Sequence, residues 1–264
     1  LLNFAHGDLY MVGAFAGFSV LSMFSGQPGV LGILLAFLAS ILITGLFGMG
    51  IERIAYRPLL HSSRLTILIT AVGVSLVLEN AVMLSYGPSF RVLQVQLPTA
   101  GFQVAGATIT YTQLGILLLS VLLMWGLHMF VTRTLYGKAM RAISIDRTAT
   151  SLMGIPVHRI ISITFFFGSA LAASAGMMAG LYYGQINFMM GFIVGLKAFT
   201  AAVIGGIGSI PGAMLGGLVL GLVESLGTVY LGGEWKDVFA FGILILILVL
   251  KPTGLLGEKV TERM

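Results

Sequence analysis

Eight apolar stretches, each set off from the next by a short polar run, make up most of this chain. They are Leu9–Phe24, Val30–Ile51, Leu65–Ser85, Thr112–Val131, Ile160–Tyr183, Gly195–Ile207, Ala213–Tyr230 and Val238–Leu250. Hydrocarbon offers backbone N–H and C=O groups no partner, so such stretches must pair their own backbone as helices. They run too long and too continuously for barrel strands, which alternate over about 10 residues. The first, sixth and eighth fall short of the roughly 20 residues a crossing needs; they read as crossings extended by flanking residues or as half-helices. Composition excludes the alternatives. Charged residues make up 9% of the chain (14 Lys and Arg, 9 Asp and Glu), against roughly 25% in a soluble domain. A soluble enzyme, a nucleic-acid-binding domain and a disordered chain are ruled out on that ground. The expectation is an all-α, polytopic transmembrane helical bundle with about eight membrane segments, some short or broken, forming a single domain over residues 1–264.

The polar breaks set the orientation. Arg53, Arg57 and Arg64 follow the second stretch. Arg133, Lys138, Arg141, Arg147 and Arg159 follow the fourth, against one acid, Asp146. Lys251, Lys259 and Arg263 lie at the C-terminal end. The intervening breaks are poor in positive charge. Lys and Arg mark cytoplasmic loops, so 52–64, 132–159, 208–212 and the C-terminus are expected in the cytoplasm. The charge bias alternates through all eight crossings without conflict. Helix contacts are expected along ridges of small residues: Gly168, Ala172, Gly176, Gly180 and Gly184 in the fifth stretch, and Gly212 with Gly216 and Gly217 with Gly221 in the seventh.

Polar groups at membrane depth are costly and point to function. The first cluster is Asn3, His6 and Asp8, just ahead of the first stretch. Two readings stand. Asp8 caps a helix starting at Leu9, or the cluster lines a break in a crossing, as transporters use. Glu79, Asn80 and Glu224 lie within apolar stretches and are further candidates for a polar path or for pairing within the bundle. Glu224 follows Gly217 and Gly221 at helical spacing. Lys197 is expected to snorkel to an interface.

Gly205, Gly206, Gly208, Pro211 and Gly212 form a tight turn between the sixth and seventh stretches, either a hinge or a static packing turn; Pro211 suits a helix start. The turn lacks the Lys of a P-loop and the spacing of a dinucleotide fingerprint. The basic loop 132–158 reads as a short amphipathic helix ended by Gly154 and Pro156, with Ala142, Ala149 and Leu152 on one face. That helix either lies on acidic lipid headgroups or docks a soluble partner through Arg141, Asp146, Ala149, Leu152, Gly154 and Pro156. No catalytic residue is expected: there is no cysteine, no GxSxG elbow, no HExxH, and the four histidines are scattered. No metal site is expected either.

LNFAHGDLYMVGAF within Leu1–Phe15, GIERIAYRPL at Gly50–Leu59, GLKAFTAAVIGGIGSIPGAMLGGL at Gly195–Leu218 and KPTGLLG at Lys251–Gly257 resemble the inner-membrane permeases of bacterial branched-chain amino-acid ABC importers, LivH type. The resemblance spans nearly the whole chain, and NFAHG together with the GGIGSIPGA block carries it. Urea and short-amide permeases share related versions of both. The resemblance implies a permease subunit without catalytic residues, paired with a second permease subunit. Two cytoplasmic ATPase subunits would bind the ATP, so this chain would carry no cofactor. A periplasmic substrate-binding protein would deliver branched-chain amino acids. The family carries a further helix ahead of NFAHG, so the chain reads as N-terminally truncated. The rival from another class is an ion-coupled secondary transporter working alone, with Glu79 or Glu224 as its cycling acid.

Overall fold

The structure is a computed structural model and describes residues 5–24, 28–60, 62–93, 95, 97, 98, 100–104, 107–251 and 253–257. Each of the eight apolar stretches forms a helix: α1 (His6–Leu21), α2 (Val30–Ile51), α3 (Arg64–Tyr86), α4 (Tyr111–Arg133), α7 (Val157–Tyr183), α8 (Met190–Gly205), α9 (Ile210–Leu231) and α10 (Lys236–Leu250). Between α4 and α7 lie α5 (Leu135–Ile145) and α6 (Arg147–Leu152). Five helices are long and apolar enough to cross a membrane, namely α2 with its extension to Leu59, α3, α4, α7 and α9. The three stretches marked as short are the short helices: α1 and α8 hold 16 residues and α10 holds 15. They reach about 23–24 Å, less than the roughly 30 Å hydrocarbon core.

Two corrections concern element ends. α1 starts at His6, not Leu9. Its N-cap is Ala5, and no side chain makes a cap hydrogen bond; Asp8 lies inside the first turn and does not cap a helix at Leu9. The second stretch does not break at residue 52. It winds on through a π-helical turn, Glu52–Tyr56, and a 3-10 turn, Arg57–Leu59, so that Arg57 returns towards Glu52. The region after α3 also holds short strands that apolar periodicity does not resolve. β1 (Arg91–Val92) pairs antiparallel with β4 (Gln185–Ile186), with Arg91 opposite Ile186. β2 (Gly101–Val104) forms a hairpin with β3 (Ala107–Thr110), with Phe102 opposite Ile109.

The chain divides into two compact units, Leu1–Ile193 and Val194–Met264. In the first, α1, α2 and α7 pack against one another. Helices in lipid gain little from apolar burial against each other, so close approach of small residues decides their contacts. A Cβ on Gly13 would collide with Ala173, one on Gly176 with the Tyr10 carbonyl, and one on Gly48 with Ser169. The Ser40 hydroxyl on α2 donates to the Gly13 carbonyl at 2.6 Å. Met11, Ala14, Phe15 and Met177 form the core there, with Leu78 and Val82 of α3. Of the ridge expected on α7, Gly168 and Gly176 meet α1, next to Ala173 and Met177, whereas Gly180 meets Ile186 and Leu93 and Gly184 caps the helix. By contrast α4 buries no residue, and its leucines face outward as lipid-facing side chains do.

In the second unit, Ala201, Ile204, Leu220 and Ala240 form a core shared by α8, α9 and α10. On α9 the buried face is Gly212, Gly216, Leu220, Glu224 and Gly227. Gly217 and Gly221, which the sequence grouped with Glu224, are exposed and have no neighbour within 4 Å. The α8–α9 turn is closed by the Ser209 hydroxyl, which accepts from the Gly212 amide at 3.1 Å, with Pro211 in the first turn of α9. A Cβ on Gly205 would strike the Gly212 carbonyl, and one on Gly212 would strike the Gly205 carbonyl. The C-terminal segment folds back on this turn. The Leu255 and Leu256 amides donate to the Ile204 and Gly205 carbonyls at 2.8 and 2.9 Å, satisfying acceptors left over at the end of α8.

Gly206 and Gly208 both have positive φ, +103° and +97°. A side chain at Gly208 would meet open space, whereas one at Gly206 would run into the Gly257 backbone. Gly208→Ala is therefore expected to cost only backbone strain, about 1–3 kcal/mol. Gly206→Ala should cost that and also release the C-terminal segment. Thermal unfolding in detergent and protease sensitivity near Leu255 check this. Equal behaviour of the two variants would refute the strap-like packing.

Candidate functional site

Asn3 lies outside the described residues. His6 is exposed, and its ring lies 3.3 Å from where a Cβ on Gly168 would sit. That contact fixes the height of α1. Gly13 faces Ala173 and Gly17 faces Met177, so α1 and α7 run parallel. Gly168 lies eleven residues past Val157 and fifteen before Tyr183, or about 16 Å and 22 Å along the helix. α1 thus begins near mid-height of a helix long enough to span a bilayer. A polar first turn is set at depth, as the broken-crossing reading of the Asn3–Asp8 cluster requires.

Asp8 is fully buried there, and neither oxygen makes a hydrogen bond of normal geometry. The Ser75 hydroxyl and the Glu79 carboxylate, one turn apart on α3, act on it electrostatically. Ser75 is buried and Glu79 half-buried. Asn80 belongs elsewhere: it is exposed, and its amide donates to the Leu76 carbonyl of its own helix at 2.7 Å. The sequence candidates Asp8 and Glu79 come together, while His6 lies against Gly168 of α7 and Asn80 bonds its own helix. At the far end of α1, Phe18, Leu21, Phe24, Pro28 and Phe90 line a cavity of about 360 Å³ with Arg91 at its wall. The Arg91 Nε donates to the Tyr86 carbonyl at 2.8 Å.

Glu224 sits in the second unit, inside a charge cluster. Lys197 on α8 approaches Glu224 at 2.9 Å and Asp237 at 2.7 Å, and Lys236 approaches Glu224 at 3.5 Å. The 2.9 Å approach is an ion pair by distance rather than a well-aligned hydrogen bond. Lys197 therefore does not snorkel to an interface. Its charge is spent on two carboxylates, since an unpaired ammonium at that burial would be expensive. Glu224 pairs within its unit.

At the opposite end of α2 from the cavity lies a group that sequence reasoning missed. Glu52 is fully buried. It accepts from Arg57 Nε at 3.3 Å, from Arg57 Nη2 at 3.2 Å and from the Ser162 hydroxyl at 2.6 Å, and Arg57 Nη2 also reaches Ser162 at 2.9 Å. The signal available was an acid at the start of a basic run, five residues before an arginine. This knot ties the end of α2 to the base of α7.

The segment just ahead of α7 is two helices, not the single amphipathic helix expected. Asp146 ends α5 and caps α6, accepting from the Thr148 and Ala149 amides at 2.8 and 3.0 Å. Ala142 and Leu152 are thereby split between elements. Ala139 and Ile143 pack α5 on Ile160, whereas Ile145, Leu152 and Met153 are more than 80% exposed. Arg141, Asp146, Ala149, Gly154 and Pro156 are exposed as well. The segment thus presents exposed apolar side chains beside the exposed Arg141 and Arg147.

Spanning apolar helices, a short helix that starts at depth, and carboxylates held inside define a polytopic membrane transport protein. The chain belongs to the family described as branched-chain amino acid transport system / permease component, whose model matches residues 1–248. The high-affinity branched-chain amino acid transport system permease protein BraD of Pseudomonas aeruginosa is 46% identical over 270 residues, covering 100% of this chain and 88% of that one. LivH of Escherichia coli K12, which bears the same description, is 43% identical over 274 residues with the same coverage. The fructose import permease protein FrcC of Rhizobium meliloti is 30% identical over 155 residues, 56% of this chain and 42% of its own. No solved structure matches the chain.

The Lys197 cluster yields a test. Lys197→Met leaves Glu224 beside Asp237 with only Lys236 to offset them, and should cost about 3–5 kcal/mol. The double variant Lys197→Met/Glu224→Met removes the stranded charge and should recover much of that loss. Melting temperatures of the purified variants measure both. A double variant no better than the single would show that the cluster is not a compensating pair.

Proposed function

We propose that this chain is a membrane-spanning permease subunit of an ATP-binding-cassette importer, carrying leucine, isoleucine and valine across the bacterial inner membrane. The observation that carries this reading is the full-length likeness to the branched-chain permeases, at 46% identity. The chain acts by passage rather than by catalysis and holds no cofactor of its own. ATP is bound by two cytoplasmic ATPase subunits, a second permease subunit completes the pore, and a periplasmic protein delivers the substrate. The loop charges place the C-terminus and the α5–α6 segment in the cytoplasm. In that orientation the apolar cavity with Arg91 faces the periplasm, where an apolar amino acid arrives.

The docking surface is the α5–α6 segment. Leu152 and Met153 protrude into solvent, and Gly154, at φ +80°, turns the chain into α7 two residues before the helix. Apolar anchors ringed by polar groups are what a partner's pocket takes up. Gly205–Gly212 is assigned to the cytoplasm by the same charge rule and serves as turn or hinge.

The assignment is tested with the whole complex in vesicles, ATP inside and loaded binding protein outside. Leucine uptake should persist when ion gradients are collapsed and stop when ATP is removed; the opposite pattern would establish an ion-coupled carrier. Leu152→Asp should reduce ATP-driven uptake by about tenfold or more, as loss of a buried anchor does, with the permease still folded. Normal uptake by Leu152→Asp would remove the docking role.

A further inference from the structure

Asp8 is a charge without a visible reason. A buried carboxylate left without a hydrogen-bonded partner is among the costliest groups a fold can hold. The ion pairs among the described residues involve Glu52, Glu224 and Asp237, never Asp8. It is not a helix cap. The helix α8 closes on it at a residue without a side chain. Gly191 abuts it, and a Cβ there would lie 2.6 Å from Asp8 Oδ1. Ser75 and Glu79 face it from α3, and Glu79 is half-buried, which connects the pair to the edge of the unit. The pair lies close to mid-height of α7.

A buried carboxylate on which a hydroxyl and a second carboxylate act suits a small cation able to donate several hydrogen bonds. The cargo class proposed above carries one, its α-ammonium, with three N–H donors. We propose that Asp8, Glu79 and Ser75 form the subsite for the substrate's ammonium group during passage. This rests on the importer reading, and it assigns to this chain a contact with the substrate backbone common to all three amino acids. Asp8 receives the ammonium directly, Ser75 accepts a second N–H, and Glu79 draws the cation in from the edge. The subsite therefore does not discriminate among apolar side chains.

The experiment uses the assembled transporter in vesicles with ATP and leucine-loaded binding protein. This chain has no cysteine, so Ser75→Cys introduces one thiol, whose modification is read by the mass of this subunit. During turnover, 2-aminoethyl methanethiosulfonate, a cation, should label Cys at 75 about tenfold faster than the anionic sulfonatoethyl reagent, the preference a local negative field gives. Excess leucine-loaded binding protein should slow the cationic reaction, and adding Asp8→Asn should bring the two rates together. Asp8→Asn alone should lower leucine uptake by about tenfold or more while ATP hydrolysis still responds to loaded binding protein. Where Asp8→Asn does not assemble, Glu79→Gln takes its place, with the same loss of charge preference expected. Equal labelling by both reagents, a thiol unreactive in every state, or normal uptake by both acid variants overturns the proposal. Protection by sodium ions instead of leucine also overturns it, in favour of a metal-cation site. Wild-type vesicles that take up no leucine with ATP refute the importer assignment itself, a failure visible before any variant is made.

Discussion

The contact on which the first unit depends is the backbone-to-backbone seating of α1 on α7. Gly13 against Ala173 and Gly176 against the Tyr10 carbonyl leave no room for a Cβ. In water such contacts would be one term among many. In lipid, where apolar burial between helices gains little, they set which helices touch and at what height. Height is the important consequence. Because Gly17 meets Met177 and His6 meets Gly168, the start of α1 is fixed well inside the span of α7, and Asp8 goes with it. A larger residue at any of these seats would shift the register of α1 and move its acid out of the bundle interior.

The chain carries few charges and uses its interior ones in two ways. Glu52 and Glu224 are compensated. The first is held by Arg57 and Ser162 and the second by Lys197 and Lys236. Each ties helices together at a place where lipid or apolar side chains would not, and each resembles the paired charges found wherever ions are buried. Asp8 is arranged differently, with glycine on one side and a second acid on another. Under the proposed function, that difference is what marks Asp8 for contact with the substrate rather than for holding helices together.

Much of this was legible in the sequence, for reasons that differ by feature. Helices are written in long apolar runs, so all eight stretches became helices, and the three too short to cross are short in space. Small-residue spacing on α7 found part of the α1 seat, at Gly168 and Gly176, and missed Ala173 and Met177 beside them. What the sequence did not reveal were contacts that depend on winding and on distance along the chain. The return of Arg57 to Glu52 needs a π-helical turn, which leaves no periodic trace. The partners of Lys197 lie on two other helices, and snorkelling was the local alternative. Gly217, Gly221 and Glu224 share one helical spacing and Gly216, Leu220 and Glu224 share another; only packing shows that the second is buried. The reading of Asp8 as a cap failed because the helix begins at His6, two residues before Asp8.

The position of the proposed docking surface follows from the same framework. α6 is joined to α7 by the short link Met153–Pro156, α5 packs on α7 at Ile160, and α7 runs unbroken for 27 residues. At its base α7 is tied to α2 through Ser162, Glu52 and Arg57; halfway up it carries the start of α1 with Asp8. Coupling between distant points of a protein needs rigid elements and packed contacts that move together. Here the elements are few. A push on Leu152 meets α7 first, and α7 cannot shift without taking Gly13 and Tyr10 of α1 with it, because their contacts leave no slack. Under the proposed function, ATP-driven motion at the cytoplasmic face thus acts on the buried acid through one helix and one close-packed seam.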